Sequence, residues 1–121
     1  MDVSEAVDRR RAARALDEKP VSDGLISELI GAMRLSPSCN NNQPWRVIVA
    51  RDPASLEAVK TSLTKGNVWA SKAPLILAVC SRVDDDCKLS DRRDYYLFST
   101  GLAVGEMLLR ATEMGLIAHP I

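Results

Sequence analysis

Residues 36–46 read SPSCNNNQPWR, a polar loop bracketed by Pro37 and Pro44 and set between a helical pattern and an apolar strand. Each proline removes a backbone donor and fixes φ, so neither helix nor sheet passes easily through this segment. Serine and asparagine side chains can satisfy its backbone locally, which predicts a stiff loop. The clustered amides suit a planar ligand with a mixed hydrogen-bonding edge, such as a base or an isoalloxazine ring. The alternative is an ordinary helix-to-strand connection.

The composition is typical of one globular domain, residues 1–121, whose function depends on a localised site. Such a length can bury roughly two-thirds of the unfolded surface. The 16 basic and 16 acidic residues balance, which argues against nucleic-acid binding. The N-terminus lacks the apolar core of a signal peptide, and no apolar run approaches the ~20 residues of a membrane span. We therefore expect a soluble, cytoplasmic protein that binds neither nucleic acid nor a membrane.

The cysteines and acidic residues match no metal or disulfide motif. Cys39, Cys80 and Cys87 are odd in number, lack a C-x-x-C pair and show no zinc-like spacing to the single His119. We therefore expect neither a disulfide nor a structural zinc site. Residues 84–86 are three adjacent aspartates, but neighbouring carboxylates in a loop point in different directions, so we expect them to be hydrated and to bind no metal.

Hydrophobic periodicity predicts four helices and three strands. Ser22 and Asp52 are good N-caps, and Gly115 is a natural C-cap. The first strand is apolar without alternation, which predicts burial on both faces. Trp69 precedes the second strand and is expected to cover the core, and the alternative is a platform for a ligand. The predicted helices are 2–15, 22–35, 52–66 and 91–114, and the predicted strands are 45–50, 74–80 and a third that begins at 116.

Several arginines crowd the first predicted helix. On a helix Arg14 lies four residues from Arg10 and three from Arg11, so all three converge on one side. Guanidinium forks bind phosphate bidentately, and such a triplet can hold a dianion. The alternative is a solvated basic face balanced by Glu5 and Asp8.

The last predicted helix is apolar over most of its circumference. Such a helix is buried centrally or lies in a subunit interface. Gly101 and Gly105 permit close backbone approach along it, so we expect another element to pack there.

Four motifs follow one another along the chain. Residues 10–14 read RRAAR and are followed by KPV at 19–21, residues 36–45 carry the loop, residues 73–74 read AP before a strand, and residues 115–121 read GLIAHPI. In this order and spacing the set resembles the nitroreductase family of FMN-dependent oxidoreductases. The resemblance implies an α+β fold with a central, mainly antiparallel sheet flanked by helices and a long central helix at a dimer interface. It also favours the ligand-binding interpretations of the loop and of the arginines.

The resemblance implies cofactor contacts position by position. The family motif Arg-Arg-Ser-x-Arg binds the FMN phosphate and ribityl chain, and it is similar to Arg10, Arg11, Ala12 and Arg14, with alanine in place of the usual serine. The first half of the motif Pro-Ser-x-x-Asn-x-Gln-Pro-Trp meets the flavin ring bound to the partner subunit. The corresponding and neighbouring positions here are Pro37, Ser38, Cys39, Asn41 and Gln43. Two further implied contacts are Asn67 and Pro120.

The implied chemistry is ping-pong hydride transfer from NADH or NADPH through flavin N5 to a nitroaromatic, a quinone or a similar electrophile. The flavin carries the reaction, so no catalytic side chain is required. His119 as a general acid is one interpretation, and a structural histidine is the other. The implied assembly is a homodimer with FMN between subunits.

Family members continue beyond the position of Ile121 with a glycine-containing turn, more sheet and a basic segment. The chain thus resembles the N-terminal part of such a domain. The alternative function is a non-catalytic flavin-binding or dimerisation module, or an inactive fragment.

Overall fold

The computed structural model describes residues 1–121, which form an α+β arrangement of four helices and one two-stranded sheet. The order along the chain is α1-α2-β1-α3-β2-α4. Short 3-10 turns lie at Cys39–Asn41, Lys65–Lys72 and Val83–Asp85. The helices are α1 (Val3–Arg9), α2 (Asp23–Leu35), α3 (Pro53–Lys60) and α4 (Tyr96–Glu113), and the strands are β1 (Trp45–Ala50) and β2 (Ile76–Ser81).

Helix α2 leads the chain into the loop and begins and ends as its sequence predicts. Ser22 is the N-cap, and its hydroxyl accepts a hydrogen bond from the Leu25 N–H at 3.4 Å. The helix ends at Leu35 with Ser36 in extended conformation, because Pro37 disfavours the helical conformation in the residue before it. The loop therefore starts from a rigid element.

The core lies between α2, α4 and the inner face of the sheet. Met33 and Ala103 have no exposed surface, and Trp45 is 7% exposed. The two strands pair antiparallel from Trp45↔Ser81 to Ala50↔Ile76. The main cluster of buried side chains comprises Leu29, Met33, Trp45, Ala103, Met107 and Ala111.

Strand β1 is buried along one face, whereas on the other face only Ala50 at its end is buried, so the prediction of burial on both faces is wrong. Val47 packs against the core, whereas Ile48 is 58% exposed and Arg46 is also exposed. Side chains alternate between the two faces of a strand, and only one of these faces has α2 and α4 against it.

The first helix is shorter than its periodicity predicts. Helix α1 ends at Arg9, and Arg10 leaves the helical region with ψ near 123°. Ala6 is the buried residue of α1, Val7 is 53% exposed, and no large apolar side chain lies between Val7 and Leu16. Without an apolar face to bury, a longer helix has little to stabilise it. The prediction that Arg10, Arg11 and Arg14 converge on one face of a helix is therefore wrong.

Other predicted boundaries also shift. Helix α3 ends at Lys60 and is followed by the 3-10 turn, and α4 begins at Tyr96 after a turn in which Arg92 has φ near 70°. Gly115 is confirmed as a helix terminator with φ near 75°. The strand predicted from residue 116 does not form, because β1 and β2 pair only with each other and a strand requires a neighbouring ladder.

Helix α4 has one face in the core and a second apolar face open to solvent. Ser99, Ala103 and Met107 are buried, whereas Leu97 and Phe98 are more than 60% exposed. A Cβ atom added at Gly101 or Gly105 would meet nothing within 4 Å, so no element of the same chain packs against these glycines. We call this open face the α4 outer face and define it as Leu97, Phe98, Gly101, Leu102 and Gly105. No helix in the chain combines the length and apolar character needed to cross a bilayer.

Candidate functional site

The loop at residues 36–46 is held by its own hydrogen bonds, as its composition predicts. Asn40, Asn41 and Gln43 have φ near 50°, 54° and 48°, a left-handed conformation that asparagine tolerates better than most residues. The Gln43 N–H donates to Ser38 Oγ at 2.9 Å, and Gln43 Nε2 donates to the Arg34 carbonyl at 3.1 Å. Pro44 is fully buried beneath the loop, whereas Pro37 is exposed. The loop therefore presents its asparagine side chains from a fixed backbone.

A disulfide ties this loop to the segment before α4, so the expectation of no disulfide is wrong. Cys39 and Cys87 are bonded, with their Cα atoms 5.9 Å apart, and Cys80 is the exposed free thiol. The two bonded cysteines are 48 residues apart in sequence. No local spacing motif can mark such a pair, because the fold alone brings it together.

The three adjacent aspartates point in different directions, as predicted, but they are not all hydrated. Asp84 pairs with Lys88, and Asp85 pairs with Arg82 at 2.9 Å. Hydrogen bonds from Lys88 and Arg82 lower the pKa of Asp84 and of Asp85 respectively, so both remain charged below the usual carboxyl range.

Asp86 differs from its two neighbours and corrects the hydration hypothesis, because its side chain is only 8% exposed. Its Oδ1 accepts hydrogen bonds from the Cys87 N–H at 2.8 Å and from Asn42 Nδ2 at 3.3 Å. Its Oδ2 is buried without a partner. Sequence reasoning missed this residue because its contacts are set by the loop, 44 positions earlier.

A second cluster joins Arg14, Trp69 and His119, which lie in three segments that are distant in the sequence. The Arg14 guanidinium lies 5.7 Å from the centroid of the Trp69 ring, and the Trp69 and His119 rings are 4.4 Å apart. Trp69 Nε1 and His119 Nδ1 are both buried without a hydrogen-bond partner. Trp69 is half-buried and stacks in this cluster, apart from the main core, so the prediction of a core-covering role is wrong.

The arginines next to this cluster lack carboxylate partners. Arg9 pairs with Glu5 at 3.0 Å, but Arg10, Arg11 and Arg14 form no ion pair. Arg11 Nη1 donates instead to the Arg10 carbonyl at 2.7 Å. Three guanidinium groups without acidic partners thus lie within five residues of the chain, and guanidinium groups are strong donors to phosphate.

The remaining expected cofactor residues flank these groups. Ala12 is exposed next to the arginines, and it offers no side-chain donor. Asn67 is half-buried, and its Nδ2 donates to Thr64 Oγ1 at 3.1 Å. Pro120 is exposed next to His119. The structure thus brings the segments of Arg14, Asn67 and Pro120 to one cluster.

The loop belongs to a separate group. No hydrogen bond or ion pair joins residues 36–43 to Arg10, Arg11, Arg14 or His119. Two surface hollows of about 260 and 350 Å³ lie beside α2 and α4, and of the expected cofactor residues only Gln43 lines either one. Within one chain, the loop and the Arg14 cluster are therefore not joined by direct polar contacts.

Comparison with known proteins decides the family. Residues 7–74 match the Nitroreductase family, and this match covers more than half of the chain. The chain belongs to the nitroreductase family. Its resemblance to that family and the expected α+β nitroreductase fold are both confirmed.

Among relatives, an NADH dehydrogenase of Thermus thermophilus is 34% identical over 85 residues, which are 70% of this chain and 41% of that protein. A nitroreductase family protein from Clostridium difficile has a TM-score of 0.86 at 24% identity, covering 97% of this chain and 66% of that one. An oxidoreductase containing FMN has a TM-score of 0.83 at 26% identity, covering 98% and 62% respectively.

The nitroreductase chain described here is shorter than these relatives. The alignments cover 41% of the Thermus thermophilus protein and 58% and 59% of two further curated relatives, so the chain spans about half the length of such proteins. The activity and partners of those full-length proteins thus remain proposals for this chain.

Proposed function

We propose that this nitroreductase-family chain binds FMN and acts as an NAD(P)H-dependent oxidoreductase on a nitroaromatic, a quinone or a similar electrophile. The observation that carries the proposal is the contact of Arg14 with the Trp69 ring, which stacks on His119, together with the lack of acidic partners at Arg10, Arg11 and Arg14. The FMN-containing structural relative and the NADH dehydrogenase named above support it.

The chain's own residues bind and orient the cofactor. The guanidinium groups of Arg10 and Arg11 would hold the phosphate, where charge-assisted forks are strongest. Arg14 is oriented by its contact with the Trp69 ring and would place positive charge beside the flavin. Trp69 Nε1 and His119 Nδ1 are unpartnered donors or acceptors for the polar edge of a ligand.

FMN held by these residues would supply the redox chemistry, which is hydride transfer through N5 between NADH or NADPH and the acceptor in ping-pong order. The loop that carries Pro37, Ser38, Cys39, Asn41 and Gln43 would hold the isoalloxazine ring of the partner copy. The stiffness of the loop supports this role, because a fixed loop loses little conformational entropy when a ligand binds.

The homodimer is part of the proposal, since the arginine cluster and the loop form separate groups within one chain. The α4 outer face supports it, because it is a contiguous apolar surface with two glycines against which nothing in the same chain packs. Exposed apolar patches of this kind mark protein interfaces.

We expect Phe98→Asp, at a position 62% exposed on the α4 outer face, to weaken dimerisation. The loss should be about 100-fold or more, because an unpaired carboxylate buried in an apolar interface costs several kcal/mol. Sedimentation velocity across a concentration series measures it. Ile48→Asp is the matched control, since Ile48 is 58% exposed on the outer face of β1. Equal effects of the two substitutions would contradict the proposed interface.

The test of function is the visible spectrum of the purified chain after incubation with FMN, before and after anaerobic addition of NADH or NADPH. Flavin absorption that bleaches with the nicotinamide, and returns when a quinone is added, supports the oxidoreductase. Flavin that binds without bleaching instead supports the non-catalytic module, an alternative motivated by the chain's half-length coverage of its relatives. Failure to take up FMN contradicts both.

A further inference from the structure

The disulfide lies beside a buried carboxylate whose contacts are incomplete. Ligand atoms of Cys39, Asp86 and Cys87 all lie within 4.8 Å of one another. Asp86 is 8% exposed, and its Oδ2 has no hydrogen-bond partner. A buried carboxylate oxygen without a partner is costly, so this position favours a group that supplies positive charge.

We propose that, when the Cys39–Cys87 disulfide is reduced, Cys39, Cys87 and Asp86 bind one thiophilic divalent cation of the Zn²⁺ class. A dithiol reductant supplies two electrons and two protons, so the S–S bond becomes two thiols while the dithiol is oxidised to its own disulfide. Cation binding then releases the two thiol protons to solvent, and both sulfurs bind as thiolates.

The spacing of the ligands suits a tetrahedral ion. Two thiolates bound at about 2.3 Å to such an ion lie about 3.8 Å apart. The 5.9 Å between the Cα atoms of Cys39 and Cys87 leaves room for that separation through side-chain rotation. Three protein ligands leave a fourth position for water. Thiolates are soft ligands that bind Zn²⁺ well, whereas Mg²⁺ and Ca²⁺ prefer sites made only of oxygen ligands. Two thiolates and one carboxylate therefore select Zn²⁺ over Mg²⁺ or Ca²⁺.

Of the three adjacent aspartates, only Asp86 is available as a metal ligand. Asp84 and Asp85 are already paired with Lys88 and Arg82, so they do not compete for the ion. Asp86 Oδ1 is oriented by the Cys87 N–H and by Asn42 Nδ2, which leaves Oδ2 available as a ligand. Hydrogen bonds of this kind fix the orientation of metal ligands.

The proposed site links the loop to the segment that precedes α4. Cys39 belongs to the loop, whereas Asp86 and Cys87 belong to the segment before α4. Either the disulfide or the bound cation therefore ties these two segments together. The reduced, metal-free form lacks both constraints, so the site would couple loop order to thiol redox state and to metal supply.

The probe is Co²⁺, titrated anaerobically into the Cys80→Ser protein so that the exposed free thiol cannot contribute. We expect the phosphine-reduced protein to bind one Co²⁺ per chain with a thiolate-to-cobalt charge-transfer band, and Zn²⁺ to displace it. The disulfide form should show no such band. Circular dichroism of both forms verifies that they remain folded.

Matched substitutions separate this site from adventitious binding. Asp86→Asn and Cys39→Ser should lose tight binding, and Asp84→Asn should retain it. Asn42→Ala should weaken binding by about 10- to 100-fold, the usual effect of removing an outer-shell partner. The proposal is overturned if the folded, reduced protein gives no thiolate band, or if Asp86→Asn binds as tightly as Asp84→Asn. The reduced and oxidised forms have the same sequence. Their comparison therefore tests whether the reduced cysteines bind the cation, even if one of the substituted variants fails to fold.

Discussion

Replacing Arg10 and Arg14 together with alanine should lower the affinity for FMN by about 100- to 10,000-fold. The proposed contacts are those of Arg10 with the phosphate and of Arg14 with the flavin, and each charge-assisted contact contributes roughly 1.5 to 3 kcal/mol; neither arginine has an acidic partner whose release would offset the loss. Quenching of FMN fluorescence in a titration of each variant measures the change.

The matched control is Arg9→Ala combined with Arg51→Ala. This pair removes the same formal charge, but Arg9 is paired with Glu5 and Arg51 with Asp23. We expect the control to change FMN affinity only slightly, since exposed charges act weakly at physiological salt. Unchanged affinity in the Arg10 and Arg14 variant would remove both proposed FMN contacts, that of Arg10 with the phosphate and that of Arg14 with the flavin. Equal losses in both variants would reduce it to an effect of net charge.

Met33→Ala should lower the free energy of unfolding by about 2 to 5 kcal/mol, a large part of the stability of a small domain. Met33 has no exposed surface and contacts the cluster shared by α2, α4 and β1. Its removal leaves a cavity where the helices meet the sheet. Urea denaturation followed by circular dichroism measures the change.

Leu35→Ala on the same helix is the control, because Leu35 is 80% exposed and its truncation opens no cavity. We expect a change within about 0.5 kcal/mol for this variant. A loss at Leu35 as large as that at Met33 would contradict the assignment of the core to this face of α2.

Elements with strong local signals were predictable from the sequence. Helix α2 was located by its apolar stripe, by Ser22 and by Pro37, all within the segment itself. Gly115 ended α4 as expected. Such signals work because caps, prolines and periodic burial act over one or two helical turns.

The sequence identified the separate segments of the candidate site but not how they are grouped in space. The arginines, the loop and the GLIAHPI segment were recognised from residue types and order, and family membership is confirmed. Their individual roles stay predictions. The grouping of Arg14 with Trp69 and His119 had no sequence signal, because these residues are 50 or more positions apart.

The amino-acid sequence by itself determined where most helices and strands lie, which residues form the proline-bracketed loop and that arginines crowd residues 10–14, because these depend on neighbours along the chain. Tertiary structure decided that α1 ends at Arg9, that Ile48 stays exposed, that Cys39 is bonded to Cys87 and that Asp86 is buried. Each of those outcomes depends on which distant surface lies opposite the residue, and a local pattern of residue types does not specify that surface.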